Sequence, residues 1–339
     1  MKKLFAIILF GLICSSGAIA SSSAGGTVVM NFDLSESAKG KEVDLWIPYP
    51  VSGENQLIEN IRITGNYENA EVTTDRVYST PMLHVFWPEG AGKRELTFSF
   101  YASRSEQRAP DLKETNAKWD PRDYAKWLAS TNLGPTDGIV KNLAEEITAD
   151  KESLLEKARA IYDWTCENTY RAPETRGCGE GDVCNLLSNP GGKCADIHSI
   201  FVSLARAAGI PSREIFGIRL GKEDGQEITT WQHCWAEFYL PGRGWVAVDP
   251  GDVRKMMLKR GLTPKDAVPE DLREAYWGGV EPYRVKLATG RDIDLTPKQD
   301  GAPLNYLMYP YAEVDGAPLD WLSPDTFKYK ITYRNNGKK

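Results

Sequence analysis

Cys194 stands at the head of a strongly patterned segment. Pro190-Gly191-Gly192-Lys193-Cys194 leads into Ile197, Ile200, Phe201, Leu204, Ala205 and Ala208, apolar residues at three-to-four spacing. That spacing predicts a helix with one buried stripe. Gly209-Ile210-Pro211 ends it, with glycine past the last turn and proline beyond. A thiol in the first turn sees unpaired backbone N–H groups and the positive end of the helix dipole, which lowers its pKa. The same amides can donate to an oxyanion, and the two glycines would let a substrate backbone come close. A small buried structural cysteine is the competing reading of this position.

A general base for such a thiol is supplied downstream. Gln232-His233-Cys234-Trp235-Ala236-Glu237-Phe238-Tyr239-Leu240 alternates as a strand. His233, Trp235, Glu237 and Tyr239 share one face, with Cys234, Ala236, Phe238 and Leu240 on the other. Cys234 is therefore expected on the apolar side, as a core cysteine or a disulfide partner. Pro241-Gly242-Arg243-Gly244 turns the chain back into Trp245-Val246-Ala247-Val248-Asp249. A four-residue loop pairs Leu240 with Trp245 and takes Asp249 away from the face of His233. An odd loop or a bulge pairs Trp235 with Asp249 and sets the carboxylate diagonally beside the imidazole. A Cys194–His233–Asp249 triad thus requires the odd register.

The remaining cysteines depend on compartment. Lys2 and Lys3 precede an apolar run, Leu4 to Ile13, and small residues ending in Ala18-Ile19-Ala20. This is the layout of a cleavable secretory signal, cut after Ala20, and it places the protein in the periplasm or outside the cell. Cys14 is a poor lipid-attachment site because Ile13 precedes it. Five cysteines remain after cleavage: Cys166, Cys178, Cys184, Cys194 and Cys234. An oxidising compartment pairs cysteines, and an odd number leaves one over. Cys178 and Cys184, in a glycine-rich loop ahead of Cys194, are a candidate short disulfide. A zinc site from Cys178, Cys184, Cys194 and His198 would lack the Cys-x₂-Cys knuckle. No calcium loop of the Asp-x-Asp-x-Asp-Gly kind is present either. We expect no metal and no cofactor.

Around these residues the chain is organised in two parts. Residues 27–106 run in about six short alternating segments, such as Val43-Asp44-Leu45-Trp46-Ile47 and Leu96-Thr97-Phe98-Ser99-Phe100, which read as a small β-sandwich. His84 falls there, alone among hydrophobics, as a packed or solvated strand residue. Arg104 to Ala117 reads as a linker. Asp120-Pro121 opens a helix, and Gly138 to Ala149 and Leu154 to Thr169 carry helical patterns. Helices, then three strands, then a Pro- and Gly-rich tail ending in Tyr329-Lys330-Ile331-Thr332-Tyr333, suggest an α+β domain over 120–339. The net charge is −6, falling to −8 without Lys2 and Lys3, and the 41 basic residues form no dense cluster. This excludes the basic footprint of a nucleic-acid binder, and no segment is long enough for a stable membrane span after signal cleavage.

Taken together, Gly192-Lys193-Cys194, Leu204-Ala205-Arg206 with Gly209-Ile210-Pro211, and His233-Cys234-Trp235-Ala236-Glu237 with Gly244-Trp245 and Val248-Asp249-Pro250 resemble the transglutaminase-like superfamily. The resemblance spans roughly residues 155–250. It implies a papain-like fold, in which a helix bearing the nucleophile packs on an antiparallel sheet bearing histidine and aspartate, with a β-sandwich in front. Carried over, Cys194 is the nucleophile, His233 the base and later the acid, and Asp249 the group that orients the imidazole. Tyr170 lies where relatives often supply a second oxyanion donor. His198 departs from the pattern: it stands where many relatives carry a small residue, on nearly the same helix face as Cys194. It competes with His233 as base, although a helix-face or core role is preferred. The missing knuckle weakens any likeness to the peptide N-glycanase branch.

The implied activity is acyl transfer on a peptide or glutamine side-chain amide of a peptide or protein substrate. Water as acceptor gives a protease, isopeptidase or deamidase, and an amine gives a transglutaminase; hydrolysis is slightly preferred because water needs no second site. Trp231, Trp235, Trp245 and Trp277 are candidates to line a substrate groove, with core packing the alternative for each. The competing functions are an exported binding or scaffold protein with a vestigial triad, and a zinc-stabilised module.

Overall fold

The computed structural model describes residues 22–109 and 111–335, so the signal-peptide reading and Cys14 lie outside the described residues. The alternating N-terminal segments form β1 (Ser23–Asp33), β2 (Val43–Pro48), β3 (Gln56–Gly65), β4 (Asn69–Thr74), β5 (Pro81–Trp87) and β6 (Glu95–Ser105), followed by the short β7 (Gln107–Arg108). A 3₁₀ turn at Pro121–Trp127 is capped by Asp120. The helical part holds α1 (Gly138–Ile147), α2 (Leu154–Asn168), β8 (Tyr170–Arg171), α3 (Val183–Ser188), β9 (Gly191–Gly192) and α4 (Cys194–Ala207). Then come β10 (Ser212–Arg219), β11 (Gln232–Leu240), β12 (Gly244–Val248), α5 (Pro250–Lys259), α6 (Glu270–Ala275), β13 (Gly279–Val280) and β14 (Arg284–Thr289). The tail adds β15 (Tyr311–Val314), β16 (Ala317–Pro318) and β17 (Tyr329–Arg334).

The β-rich part consists of two antiparallel sheets, ordered β17-β1-β6-β3 and β16-β15-β2-β5-β4. Inward residues of both sheets, among them Val28, Phe98 and Phe100 from one and Leu45, Leu83 and Val85 from the other, share one buried core. The tail is therefore not simply the end of the second part. β15 pairs with β2 and β17 with β1, so residues 311–334 complete the sheets begun by residues 23–105. Local alternation cannot reveal this, because a strand's partner is set by long-range packing.

The second part is built on the antiparallel sheet β12-β11-β10-β14. Helix α4 packs against it and is surrounded on its other sides by α1, α2, α3 and α5. Every residue from Cys194 to Arg206 is buried, so α4 is a central helix and not one with a single apolar stripe. Its polar positions are satisfied internally. Ser199 Oγ donates to the Ala195 carbonyl, and Arg206 donates to the carbonyls of Ser212 and Ala129. Burial without a solvent face is tolerable because each polar group has found a partner.

Candidate active site

Cys194 is the first residue of α4. The two glycines ahead of it make room for the protein's own side chains, and not for a substrate backbone as their position suggested. A Cβ on Gly192 would lie 2.4 Å from Cβ of Asp196, and one on Gly191 would lie 2.3 Å from the Tyr170 ring. Asp196 Oδ2 accepts from the Lys193 amide at 2.9 Å, and Oδ1 accepts from the Gly181 amide at 2.9 Å, which tethers the upstream loop to the helix start. The Ala195 amide is spent on the Cys178 carbonyl, 3.0 Å away.

The β11–β12 hairpin pairs Leu240 with Gly244 and Ala236 with Val248. Three residues make the turn, and Gly244 follows at φ +89°, a left-handed position that favours glycine. This is the odd register that the triad requires, and the ladder ends at Val248, one residue before Asp249. Asp249 then caps α5, accepting the Asp252 amide, with Pro250 in the first turn. His233 Nε2 lies 2.9 Å from Asp249 Oδ2. A carboxylate only accepts, so Nε2 carries the proton and Nδ1 is left to take one. His233 and Cys194 line the same cavity, and the imidazole is one of the groups that lower the pKa of the thiol.

Three groups hold the Cys194 thiol well below its ordinary value against the effect of burial: the Cys178 thiol, the Cys234 thiol and His233. Cys178 and Cys234 move the other way, Cys178 through its bond to Cys194 and Cys234 through burial. One thiolate among three sulfurs is thus favoured at the helix N-terminus beside the imidazole. For Asp249, burial favours the neutral acid, but Arg284, His233 and His198 together keep it ionised well below the usual carboxylate range.

His198 is fully buried and reaches the same carboxylate from behind. Its Nε2 lies 2.9 Å from Asp249 Oδ1 and its Nδ1 lies 3.3 Å from Cys234 Sγ. His233 lines a cavity of about 750 Å³ together with Cys194 and Cys178; His198 does not line it. The two histidines therefore differ in access, not in their carboxylate. Cys234 is a core cysteine, one of its two expected roles: it is fully buried in a cluster with Cys194, and its Sγ lies 3.3 Å from His198 Nδ1.

Several expected residues fall elsewhere. Cys178 is buried in the cavity wall, its Sγ 3.6 Å from the Gln232 carbonyl, whereas Cys184 is exposed on α3, and all five described cysteines are free. Tyr170 packs its ring on Gly191 and does not line the cavity; its neighbour Arg171 does. Of the four tryptophans only Trp231 lines the cavity. Trp235 is fully buried beneath the Arg104 guanidinium, Trp245 lies under Arg213, and Trp277 stacks on Phe238. Each fills a packing position, as large aromatic rings commonly do.

Residues outside the sequence reading complete the site. Buried Arg284 on β14 binds Asp249 through Nη1 and Asp252 through Nη2. His233, Asp249 and Asp252 bring ligand atoms within 4.8 Å of one another, but both carboxylates already face this guanidinium, which makes the cluster a poor cation site. Gln232 is 8% exposed, lines the cavity, and has a buried Nε2 with no partner among the described residues. Its position next to the candidate base was the available signal. Tyr309, Trp321, Phe327 and Tyr329 bring the tail into the cavity wall.

The sequence profile of the transglutaminase-like superfamily matches residues 141–250, which hold Cys194, His233 and Asp249. An uncharacterized protein of Haemophilus influenzae is 36% identical over 365 aligned positions, covering 97% of this chain and 98% of its own length. The chain belongs to the transglutaminase-like superfamily. A protein-glutamine gamma-glutamyltransferase of Pseudomonas aeruginosa is 33% identical over 87 residues, 24% of this chain and 13% of that protein. The crystal structure of a candidate cysteine protease from Cytophaga hutchinsonii shares the fold. It has a TM-score of 0.52 at 16% identity, covering 93% of this chain and all of that one. Among the described residues no helix is long and apolar enough to cross a membrane.

Proposed function

We propose that the protein is an exported thiol hydrolase acting on amide bonds of peptides or proteins through Cys194, His233 and Asp249. The observation that carries this reading is that Cys194, at the head of α4, and His233 line one cavity while Asp249 holds the imidazole at 2.9 Å. His233 Nδ1 takes the Cys194 proton, and the thiolate attacks the amide carbonyl. In this reading the Cys194 amide and the unpartnered Gln232 Nε2 donate to the oxyanion, the term that contributes most in such reactions. Collapse breaks the C–N bond, and the His233 imidazolium protonates the leaving amine. Water, deprotonated by His233, then cleaves the thioester and releases the carboxylate and the free thiol. Asp249 stays ionised and stabilises the imidazolium throughout.

Hydrolysis is favoured over amine transfer by charge. A lysine acceptor would bring an ammonium past a wall that carries seven Lys and Arg residues and no Asp or Glu, and like charges in a low-dielectric cleft repel strongly. The signal-like segment ahead of residue 21 supports action outside the cytoplasm. The test is mass spectrometry of glutamine- and lysine-containing peptides incubated with the reduced mature protein and a small primary amine, with Cys194→Ala as control. Cleavage or deamidation by the unmodified protein alone is expected. Incorporated amine would make it a transglutaminase, and no difference from the control would favour a binding protein.

A further inference from the structure

The protein is acidic overall, with 47 Asp and Glu residues against 41 Lys and Arg, yet none of the acidic residues lines the cavity at Cys194. Arg171 on β8, Lys193 ahead of α4, Lys222 after β10 and Lys259 on α5 all face into it without an ion-pair partner among the described residues. Arg176, Arg219 and Lys255 add three more cations. Arg176 pairs with Asp320 at 2.5 Å, while Arg219 and Lys255 share the single carboxylate of Asp252, which Arg284 also engages. Their counter-charge is thus largely spent. Segments far apart in sequence converge here, so the charge cannot be the solvated face of one helix.

We infer that the cavity selects an acidic polypeptide: a chain whose carboxylates flank the reactive amide. The inference rests on the hydrolase reading for the chemistry, but the selection itself follows from the wall. A cleft of one sign with low-dielectric walls focuses its field and concentrates opposite charge. Trp231, Trp321, Phe327 and Tyr329 supply apolar surface between the cations, which suits a peptide with side chains to bury and is wasted on a small inorganic anion.

The experiment uses the full mature chain carrying Cys194→Ala, so that binding is read without turnover. Three fluorescent peptides share a central Gln-Gly and differ only in flanking Glu, Ser or Lys. The Glu-flanked peptide is expected to bind at least about tenfold tighter than the Lys-flanked one. The advantage should shrink as salt shortens the Debye length to about 10 Å. Lys222→Glu combined with Lys259→Glu changes two exposed residues outside the catalytic groups. It should remove most of the preference, bringing the Glu-flanked peptide to within about threefold of the Ser-flanked one in the same variant. Equal binding of all three, no binding of any, or a preference that survives the double reversal would overturn the inference. So would capture of inorganic phosphate or anionic vesicles without discrimination among the peptides. Turnover by the unmodified chain is scored separately. Charge-blind binding with hydrolysis sinks the inference alone, and selective binding without hydrolysis sinks the hydrolase reading alone.

Discussion

The β-rich part and the part that holds Cys194 each contain a histidine on a strand bonded to an aspartate of a neighbouring segment. In the first, His84 Nε2 lies 2.6 Å from Asp44 Oδ1 and the ring packs on Trp46. In the second, His233 Nε2 lies 2.9 Å from Asp249 Oδ2. Both histidines are 4% exposed. What separates them is what the other ring nitrogen meets. His84 Nδ1 has no hydrogen-bond partner among the described residues, with Glu71 3.8 Å away, whereas the second imidazole shares a cavity with a thiol at a helix N-terminus. A His–Asp pair is thus ordinary strand chemistry until a nucleophile and an access route are added.

The sharpest break of this comparison is to remove each ring. His233→Ala should lower the rate of amide hydrolysis by roughly 10³-fold or more. His84→Ala should leave the rate alone and cost about 1–3 kcal/mol of stability for its stranded partner. Steady-state kinetics with denaturant unfolding reads both. A comparable rate loss in the two variants would erase the distinction.

Arg284→Met comes next. It leaves two buried carboxylates facing each other without their guanidinium, and breaking such a pair typically costs about 3–5 kcal/mol. Urea unfolding should show that loss at neutral pH. Both carboxylates have depressed folded-state pKa values, so the stability they confer is present above their unfolded values and is lost as pH falls through the folded ones. The variant should therefore lose its difference from the parent protein in strong acid.

His198→Ala is the smallest effect and sharpens the comparison within the site. His198 holds Asp249 Oδ1 but lies away from the cavity, so its loss should lower the rate by about tenfold or less. The alkylation rate of Cys194 should stay near that of the parent protein. A greater loss in His198→Ala than in His233→Ala would reverse the assignment of the base.

The nucleophile segment was legible because its signals are local. Cysteine after two glycines, the three-to-four apolar spacing and the Gly209–Pro211 stop together place Cys194 at the head of α4. Alternation across residues 232–240 oriented His233, and the triad's need for an odd register matched a turn that Gly244 closes. Helix α5 carries the same Asp-Pro opening as Pro121–Trp127, so its start is marked by a local signal too. Arg284 was hidden because a buried charge in an apolar strand reads as an outward-facing residue. The cationic wall was hidden for a related reason, since its residues are scattered from Arg171 to Lys259 and no local window shows them together. Three of the four tryptophans went to packing because sequence spacing does not separate a groove from a core.

The most direct test of the central claim is the pH dependence of Cys194 alkylation by iodoacetamide, followed by peptide mapping, in the reduced protein and in His233→Ala. The expected result is a thiol in the unmodified protein that titrates well below the ordinary value of about 8.5 and stays reactive at neutral pH. In His233→Ala the titration should move upward. A Cys194 that titrates like a free cysteine, or one unchanged by loss of His233, would contradict it.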